Sequence, residues 1–346
     1  MSIPDQNPLT PKRRTEDRSL DTALRPQTFD EYIGQDKIKQ NLKILITAAK
    51  KRGDSIEHLL FSGPAGLGKT TLAHLVAHEI NAQMKITSGP AIEKVGDLAS
   101  ILTNLAPHDV LFIDEAHRLN KMIEEVLYPA MESRVLDIMI GKGPSARSIQ
   151  LELPPFTLIA ATTRPSLLSS PLRSRFSGGI FRLDFYSQDD IERIIGRSAR
   201  ILEITIDTSA IKIIASRSRF TPRIANRLLK RTRDYAQVND VSRLSSTTAE
   251  EALRLLDIDE EGLEALDIKI LDTIINKFSG GPVGIQTIAA ALMEESETIE
   301  DVAEPYLMQI GFLHRTPRGR VATPRAYMHL GLTPPPTATN QSALDL

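Results

Sequence analysis

The sequence predicts a parallel α/β domain, followed by an all-helical domain and a third domain that ends in a short hairpin. Between residues 36 and 185, helix-like stretches alternate with the apolar runs HLLFS, DVLFID and FTLIAATT, each next to a polar site. This alternation is typical of buried parallel strands with functional loops at their carboxyl ends. Helical patterns without such runs follow, and Pro317–Gly319 marks a tight turn near the end.

Domain limits follow from changes in this pattern. The opening residues are polar and aperiodic, and the end, TPPPTATNQSALDL, is rich in proline and small polar residues, so we expect both to be flexible. Ser187 and Asp190 form a capping-box pattern that opens the helical domain. The five predicted segments are residues 1–22, 23–184, 185–258, 259–333 and 334–346.

Composition limits the function. The chain has 346 residues and a formal net charge of -2, so affinity for a polyanion must come from local clusters. It contains no cysteine, which excludes disulfides, thiolate zinc sites and cysteine nucleophiles. No apolar stretch approaches the roughly 20 residues that cross a bilayer, and the polar opening lacks a signal-peptide core. We expect a soluble, cytoplasmic protein.

A phosphate-binding loop follows the first apolar run. Gly63, Gly68, Lys69 and Thr70 satisfy the pattern G-x-x-x-x-G-K-[ST] between a strand and a helix. Backbone N–H groups of such a loop surround phosphates at the positive end of the following helix. Lys69 is predicted at the β- and γ-phosphates of ATP or ADP, and the Thr70 hydroxyl on Mg²⁺. The alternative is an ordinary glycine turn. The residues predicted to bind nucleotide here are Gly66, Gly68, Lys69, Thr70 and Thr71.

The second apolar run ends in an acidic pair. Asp114 is predicted to hold Mg²⁺ through the coordination shell of the ion. Glu115 is predicted to orient and deprotonate the attacking water. A strand end that meets solvent is the alternative, but the preceding phosphate loop favours the catalytic interpretation. For His117, a packing or surface role is as reasonable as a functional one.

Three further sites are predicted around the same nucleotide. Thr162 or Thr163, at the end of the third apolar run, could hydrogen-bond the γ-phosphate or the attacking water. The alternative is an ordinary threonine-rich strand whose hydroxyl groups hydrogen-bond to neighbouring groups of the protein. Arg173 or Arg175 is a candidate arginine finger that acts on another subunit, the alternative being two surface arginines. Arg223, which opens a helix, could report the γ-phosphate to the helical domain.

The third domain carries a local basic patch. Between His314 and His329 there are four arginines and no acidic residue, whereas the preceding stretch ETIEDVAEPYL carries four carboxylates that would repel phosphates. The hairpin is therefore predicted to grip the DNA backbone, with salt sensitivity and little base readout. An exposed arginine cluster without this role is the alternative. The candidates for DNA contact are Arg315, Arg318 and Arg320.

Together these motifs resemble the RuvB family, the bacterial AAA+ ATPases that drive branch migration of Holliday junctions. The resemblance rests on LRPQTFDEYIGQ, LFIDEAHRLN, PPFTLIAATTRP, TPRIANRLLKR and RTPRGRVATPRAY, and it covers nearly the whole chain. It implies an α/β P-loop AAA+ core over 23–184, an all-α lid over 185–258 and a winged-helix DNA-binding domain over 259–333. It also implies that Leu24, Arg25 and Tyr186 surround the nucleotide. Among the four arginines of the basic patch, the resemblance implies Arg315 and Arg320 as the contacts to DNA.

The resemblance further implies partners. It suggests homohexameric rings around duplex DNA, loaded on the junction by RuvA, with RuvC resolving the junction afterwards. The hairpin over 135–153 is expected to dock on RuvA, and a hairpin buried within its own domain is the alternative. Among the departures from the family pattern, Phe220 replaces a usual glycine.

Three functions are weighed on these residues. The leading hypothesis is an ATP-driven DNA translocase that drives branch migration in recombination and repair. The second is a clamp-loader-like or protein-remodelling AAA+ ATPase. The third is a non-catalytic nucleotide switch that binds DNA, against which Glu115 argues, since a switch needs no activated water.

Overall fold

A computed structural model describes residues 22–140 and 147–335. The chain divides into two compact units. The first comprises Met1–Gly63, Leu67–Tyr186 and Gly196–Glu203, and the second comprises Pro64–Gly66, Ser187–Ile195 and Ile204–Leu346. Within the described ranges, no helix is both long and apolar enough to span a membrane.

The first unit is built on a five-stranded parallel sheet in the order β2-β3-β6-β1-β7, whose strands are β1 (Leu59–Ser62), β2 (Met84–Ser88), β3 (Val110–Asp114), β6 (Thr157–Thr162) and β7 (Gly179–Arg182). Its central strands β1, β3 and β6 coincide with the three predicted apolar runs, which confirms the parallel α/β prediction. Every residue of β1 and β6 is buried, as expected for strands covered on both faces.

Helices connect these strands. One hydrophobic cluster joins side chains of the sheet, such as Leu111 and Leu158, to Leu98 and Leu127 of the covering helices. Burying these side chains supplies the main stabilisation of the unit. The helices are α1 (Asp36–Arg52), α2 (Lys69–Glu79), α3 (Val95–Thr103), α4 (Lys121–Glu132) and α5 (Ser170–Ser174).

An antiparallel hairpin leaves this unit between α4 and β6. Its arms are β4 (Val135–Ile140) and β5 (Arg147–Glu152), paired from Val135 opposite Glu152 to Ile140 opposite Arg147. Leu136 at the base is fully buried in the hydrophobic cluster, so the hairpin is anchored there. The two arms confirm the predicted hairpin, and the tip, residues 141–146, lies outside the described residues.

The second unit is mainly helical. The predicted cap at its start is present, because the Asp190 amide donates to Ser187 Oγ at 3.1 Å and Ser187 Oγ lies 2.9 Å from Asp190 Oδ2. Two π-helical turns, Thr273–Lys277 and Ile299–Ala303, interrupt the later helices. The helices are α6 (Gln188–Ile201), which continues into the first unit, α7 (Thr208–Ser216), α8 (Pro222–Val238), α9 (Ser246–Leu255), α10 (Ala265–Asp272), α11 (Ile285–Leu292), α12 (Ser296–Thr298), α13 (Glu304–Gln309) and α14 (Pro324–His329).

The predicted second hairpin is also present. Strands β8 (Leu313–Thr316) and β9 (Gly319–Ala322) pair across the two-residue turn Pro317 and Arg318. Gly319 has φ 138°, and a Cβ there would lie 2.4 Å from the Val283 carbonyl oxygen. Only glycine fits this close approach. The hairpin and α10 to α14 enclose their own core, which gives the winged-helix architecture.

Candidate functional site

The phosphate loop links β1 to the N-terminus of α2. Lys69 is buried, and its Nζ donates to the Gly63 carbonyl oxygen at 2.7 Å. Gly63 has φ 134°, and a Cβ there would lie 2.5 Å from the Leu183 carbonyl oxygen. Gly68 has φ 98°, and a Cβ there would lie 2.7 Å from Tyr32 Oη. The glycines therefore permit a backbone path that places Lys69 and Thr70 in the first turn of α2.

Two buried tyrosines contact the backbone of this loop. The hydroxyls of Tyr32 and Tyr186 lie 2.9 Å apart, and they lie 3.3 and 3.1 Å from the Leu67 carbonyl oxygen. Burial, reinforced by Tyr186, holds the pKa of Tyr32 well above its ordinary value. The Tyr32 hydroxyl therefore remains neutral and able to donate a hydrogen bond. Sequence reasoning missed Tyr32, because no spacing pattern links it to a loop 35 residues further on.

Leu24 and Arg25 also lie in the first unit. Leu24 is buried, and its carbonyl oxygen accepts a hydrogen bond from Arg197 Nη1 at 2.8 Å. Arg25 lies close enough to His74, on α2, to act on its charge. Burial, and secondly the Arg25 charge, lower the pKa of His74 to about 4. Arg25 is thus placed beside the helix that begins at Lys69.

The acidic pair lies at the end of β3. The Glu115 amide donates to Asp114 Oδ1 at 3.0 Å, which fixes the first carboxylate. Glu115 has φ 48°, a left-handed conformation that is uncommon outside glycine. Its carboxylate is partly exposed, and Oε2 accepts a hydrogen bond from Thr163 Oγ1 at 3.4 Å. The predicted catalytic glutamate and one of the two candidate threonines therefore come together.

His117 completes this cluster. Its Nδ1 lies 3.3 Å from Glu115 Oε2 and 2.9 Å from Thr162 Oγ1. Thr162 is fully buried, and its Oγ1 also accepts the Arg164 amide at 3.0 Å. Thr162 therefore holds the turn and His117, whereas Thr163 reaches the carboxylate. The sequence offered only one signal for His117, its position two residues after Glu115.

The candidate finger arginines lie at the end of α5. Arg175 Nη1 donates to the Pro171 carbonyl oxygen at 2.7 Å, and Nη2 lies 3.1 Å from Glu132 Oε1. Its guanidinium carbon lies 4.5 Å from the centre of the Tyr128 ring. Arg173 lies within α5 and is partly exposed. These three contacts fix the orientation of the Arg175 guanidinium within this chain.

Arg223 follows Pro222, the first residue of α8. Its amide donates to the Gly66 carbonyl oxygen at 3.4 Å. Gly66 has φ 83°, and a Cβ there would lie 3.1 Å from the Arg223 Cβ. The Arg223 side chain is exposed. The candidate sensor arginine is therefore attached directly to the tip of the phosphate loop.

The three arginines assigned to DNA differ in environment. Arg318 is exposed at the turn, and the Arg315 side chain is 57% exposed with Nη2 3.7 Å from Glu300 Oε1. Arg320 is buried, and its Nε and Nη2 donate to Glu304 Oε1 and Oε2 at 3.0 and 2.9 Å. The structure therefore corrects the prediction for Arg320, because a guanidinium buried in a bidentate ion pair is not presented to a phosphate.

The fold and these sites define a P-loop ATPase of the AAA+ class with an appended winged helix. Family models match all three parts: the Holliday junction DNA helicase RuvB P-loop domain at residues 24–183, the RuvB AAA lid domain at 186–259 and the RuvB C-terminal winged-helix domain at 260–331. The chain belongs to the RuvB family, and it is a nucleotide-binding ATPase and helicase.

Individual relatives agree. The chain is 56% identical over 344 residues to the Holliday junction branch migration complex subunit RuvB of Dehalococcoides mccartyi, covering 99% of this chain and 98% of the relative. It resembles the solved Thermotoga maritima RuvB Holliday junction branch migration motor, with a TM-score of 0.84 and 48% identity over 90% of this chain and 100% of that one. The solved structure of a mutant of Thermotoga maritima RuvB is similar as well, with a TM-score of 0.84 and 49% identity, covering 90% of this chain and 99% of that one.

Proposed function

We propose that this chain couples ATP hydrolysis to the movement of DNA duplexes through a Holliday junction, as a homohexameric ring in the bacterial cytoplasm. The observation that carries the proposal is the meeting of Glu115, Thr163 and His117 at one end of the parallel sheet, in a chain that also carries a winged helix with arginines at its turn. Family membership supports this function over the clamp-loader-like alternative.

The phosphate loop binds the nucleotide. Lys69 exchanges its hydrogen bond to the Gly63 carbonyl oxygen for the β- and γ-phosphates, while the N–H groups at the start of α2 receive the remaining charge. The side chains that fit Mg²⁺ are Thr70 and Asp114, because this cation takes one or two protein oxygens together with phosphates and water. When bound, Mg²⁺ neutralises charge on the transferred phosphoryl group.

Hydrolysis depends on the cluster at the end of β3 and β6. Glu115 orients the attacking water and accepts its proton. Thr163 contacts Glu115 Oε2 and is the sensor threonine at the γ-phosphate. Leu24, Arg25 and Tyr186 belong to the adjoining nucleotide pocket, and Arg223 senses the nucleotide from the loop tip.

Hydrolysis also depends on a neighbouring subunit. Arg175, with Arg173 beside it, acts as the arginine finger that neutralises the phosphoryl group across the ring interface. Arg175→Ala subunits mixed into wild-type rings should reduce ATP turnover by more than their own share. Turnover that falls strictly in proportion to the mixture would place the arginine's action within its own subunit and contradict the proposal.

The winged helix grips the DNA backbone. Arg315 and Arg318 supply exposed positive charge, and contacts of this kind are sequence-independent and salt-sensitive. This suits a motor that must pass over any sequence. We further propose that the hairpin at 135–153 docks on RuvA and that RuvC resolves the junction afterwards.

Duplex DNA should therefore raise the rate of ATP hydrolysis, and the increase should vanish as salt is raised. Lys69→Ala protein is the control for a contaminating ATPase. A purified ring that hydrolyses ATP at the same rate with and without DNA, at every salt concentration, would contradict coupling between the ATPase and the winged helix.

A further inference from the structure

A short loop in the second unit carries unusual backbone geometry. It joins α7 to α8, and Arg219 and Phe220 have φ 51° and 54°. Two successive left-handed residues are uncommon for side chains other than glycine, and a bulky residue such as phenylalanine is strained there. Thr221, which follows, is buried, and its amide donates to the Ser218 carbonyl oxygen at 3.0 Å. Such a conformation persists only where surrounding contacts hold it.

Those contacts come from the winged helix. The Arg219 side chain is 5% exposed, its Nε donates to the Gly262 carbonyl oxygen at 2.9 Å, and its Nη2 donates to the buried carboxylate of Asp267. The guanidinium carbon lies 5.2 Å from the centre of the Tyr306 ring, and the Phe220 ring packs at 6.2 Å from the same ring. One loop residue is thus held by a buried ion pair and the next by an aromatic contact.

Asp267 is itself fixed. It lies in the first turn of α10, where its Oδ2 accepts the Glu264 amide at 2.8 Å. Burial raises the pKa of Asp267, and the Arg219 charge opposes that rise. A buried ion pair satisfied by further hydrogen bonds sets one register between the elements it joins.

The same loop connects to both candidate sites. Arg223 lies four residues after Arg219, its amide donates to the Gly66 carbonyl oxygen at 3.4 Å, and a Cβ on Gly66 would lie only 3.1 Å from the Arg223 Cβ. On the other side, Tyr306 shares α13 with Glu304, which forms the bidentate pair with Arg320 of β9. The phosphate loop tip is thus linked to the hairpin through the backbone contact of Arg223, the contacts of Arg219 and Phe220 with Tyr306, and the Glu304–Arg320 pair on the same helix as Tyr306.

We propose that Arg219 and Asp267 are positioning residues that lock the Arg223 loop to the winged helix, so that a nucleotide-dependent shift of Arg223 is passed to the β8–β9 hairpin. This inference rests on the proposed function, in which Arg223 senses nucleotide and the hairpin holds DNA. If bound nucleotide changes the affinity of the hairpin for DNA by some factor, bound DNA must change the affinity for nucleotide by that same factor.

The test is hydrogen exchange of the hairpin amides, residues 313–322, in the full-length protein with ATPγS and with ADP. In the wild type we expect different protection in the two states. In Arg219→Met the difference should shrink by about fivefold or more, the scale of allosteric coupling. Because Arg219→Met leaves a buried carboxylate, the double variant Arg219→Met/Asp267→Leu, which removes both charges, should fold and lose the difference as well.

The matched control is Arg231→Met. Arg231 also lies on α8 and pairs with an acidic residue, Asp234 of the same helix, at 3.5 Å, but its side chain is 61% exposed. This variant should respond like the wild type. A double variant that keeps the full response, a control that loses it, or a wild-type hairpin indifferent to nucleotide would each overturn the inference.

Junction dissociation by the wild type tests the proposed function separately. If the protein moved no junction but its hairpin still showed a nucleotide response that required Arg219, the proposed motor function would be contradicted and the coupling through Arg219 would be supported.

Discussion

Arg320 and Glu304 form a bidentate ion pair inside the winged helix, with nitrogen to oxygen distances of 3.0 and 2.9 Å. Both side chains are less than one tenth exposed. The pair joins β9 of the hairpin to α13. Its primary role in the folded protein is thus to hold the wing against α13, the helix at the end of the acidic stretch.

Replacing Arg320 should therefore damage stability before it damages DNA binding. Arg320→Ala leaves Glu304 buried without its partner, and we expect a loss of about 3–5 kcal/mol in the free energy of unfolding. Urea denaturation measures this loss. The comparison is Arg318→Ala at the exposed turn, which should leave unfolding unchanged and reduce the salt dependence of DNA binding by about one ion. Unchanged stability in Arg320→Ala would contradict the structural role.

Glu300 should restrain the DNA grip of the wing. Its Oε1 lies 3.7 Å from Arg315 Nη2 and 3.6 Å from Arg320 Nη2, so it competes with phosphate for Arg315. Glu300→Gln should tighten duplex binding about twofold to fivefold at low salt, as for a partly exposed charge. Fluorescence anisotropy measures it, with exposed Glu297→Gln as the control for net charge. Equal effects of the two substitutions would show that only the overall charge matters.

His117 should support catalysis through Glu115. Its Nδ1 lies within 3.3 Å of Glu115 Oε2, so its removal frees the carboxylate to rotate. We expect His117→Ala to lower kcat about tenfold to a hundredfold with little change in KM. Glu115→Gln, which removes the base itself, should lower kcat by about 10²–10⁴. Steady-state ATPase assays compare these variants with His78→Ala on α2, an exposed histidine. A change in KM alone for His117→Ala would indicate a role in binding.

His74 should give the protein an acid-sensitive contribution to stability. Burial and then Arg25 lower its pKa to about 4 in the folded state, against an ordinary value near 6.5. The folded state thus favours the neutral imidazole. The contribution is complete above pH 6.5 and is lost as pH falls toward 4. NMR titration of labelled histidine measures the pKa directly, and a midpoint near 6.5 would contradict the burial of this ring.

The sequence predicted the sheet because β1, β3 and β6 are apolar runs that each lead into a recognisable polar site. It predicted the β8–β9 turn because Pro317 and Gly319 allow few alternatives. It could not show that Tyr32 supports the phosphate loop or that His117 joins Thr162 to Glu115, because these contacts cross distant parts of the chain. Arg320 shows a second limit. The sequence pattern of a basic cluster does not distinguish an arginine that faces solvent from one that is buried against a carboxylate.

The most direct measurement is ATP-dependent dissociation of a synthetic four-way DNA junction by the purified chain, with and without RuvA, and with Lys69→Ala protein as the control. We expect dissociation that requires ATP, Mg²⁺ and Lys69. If the protein hydrolysed ATP while the junction stayed intact under every condition, the branch-migration function would be contradicted.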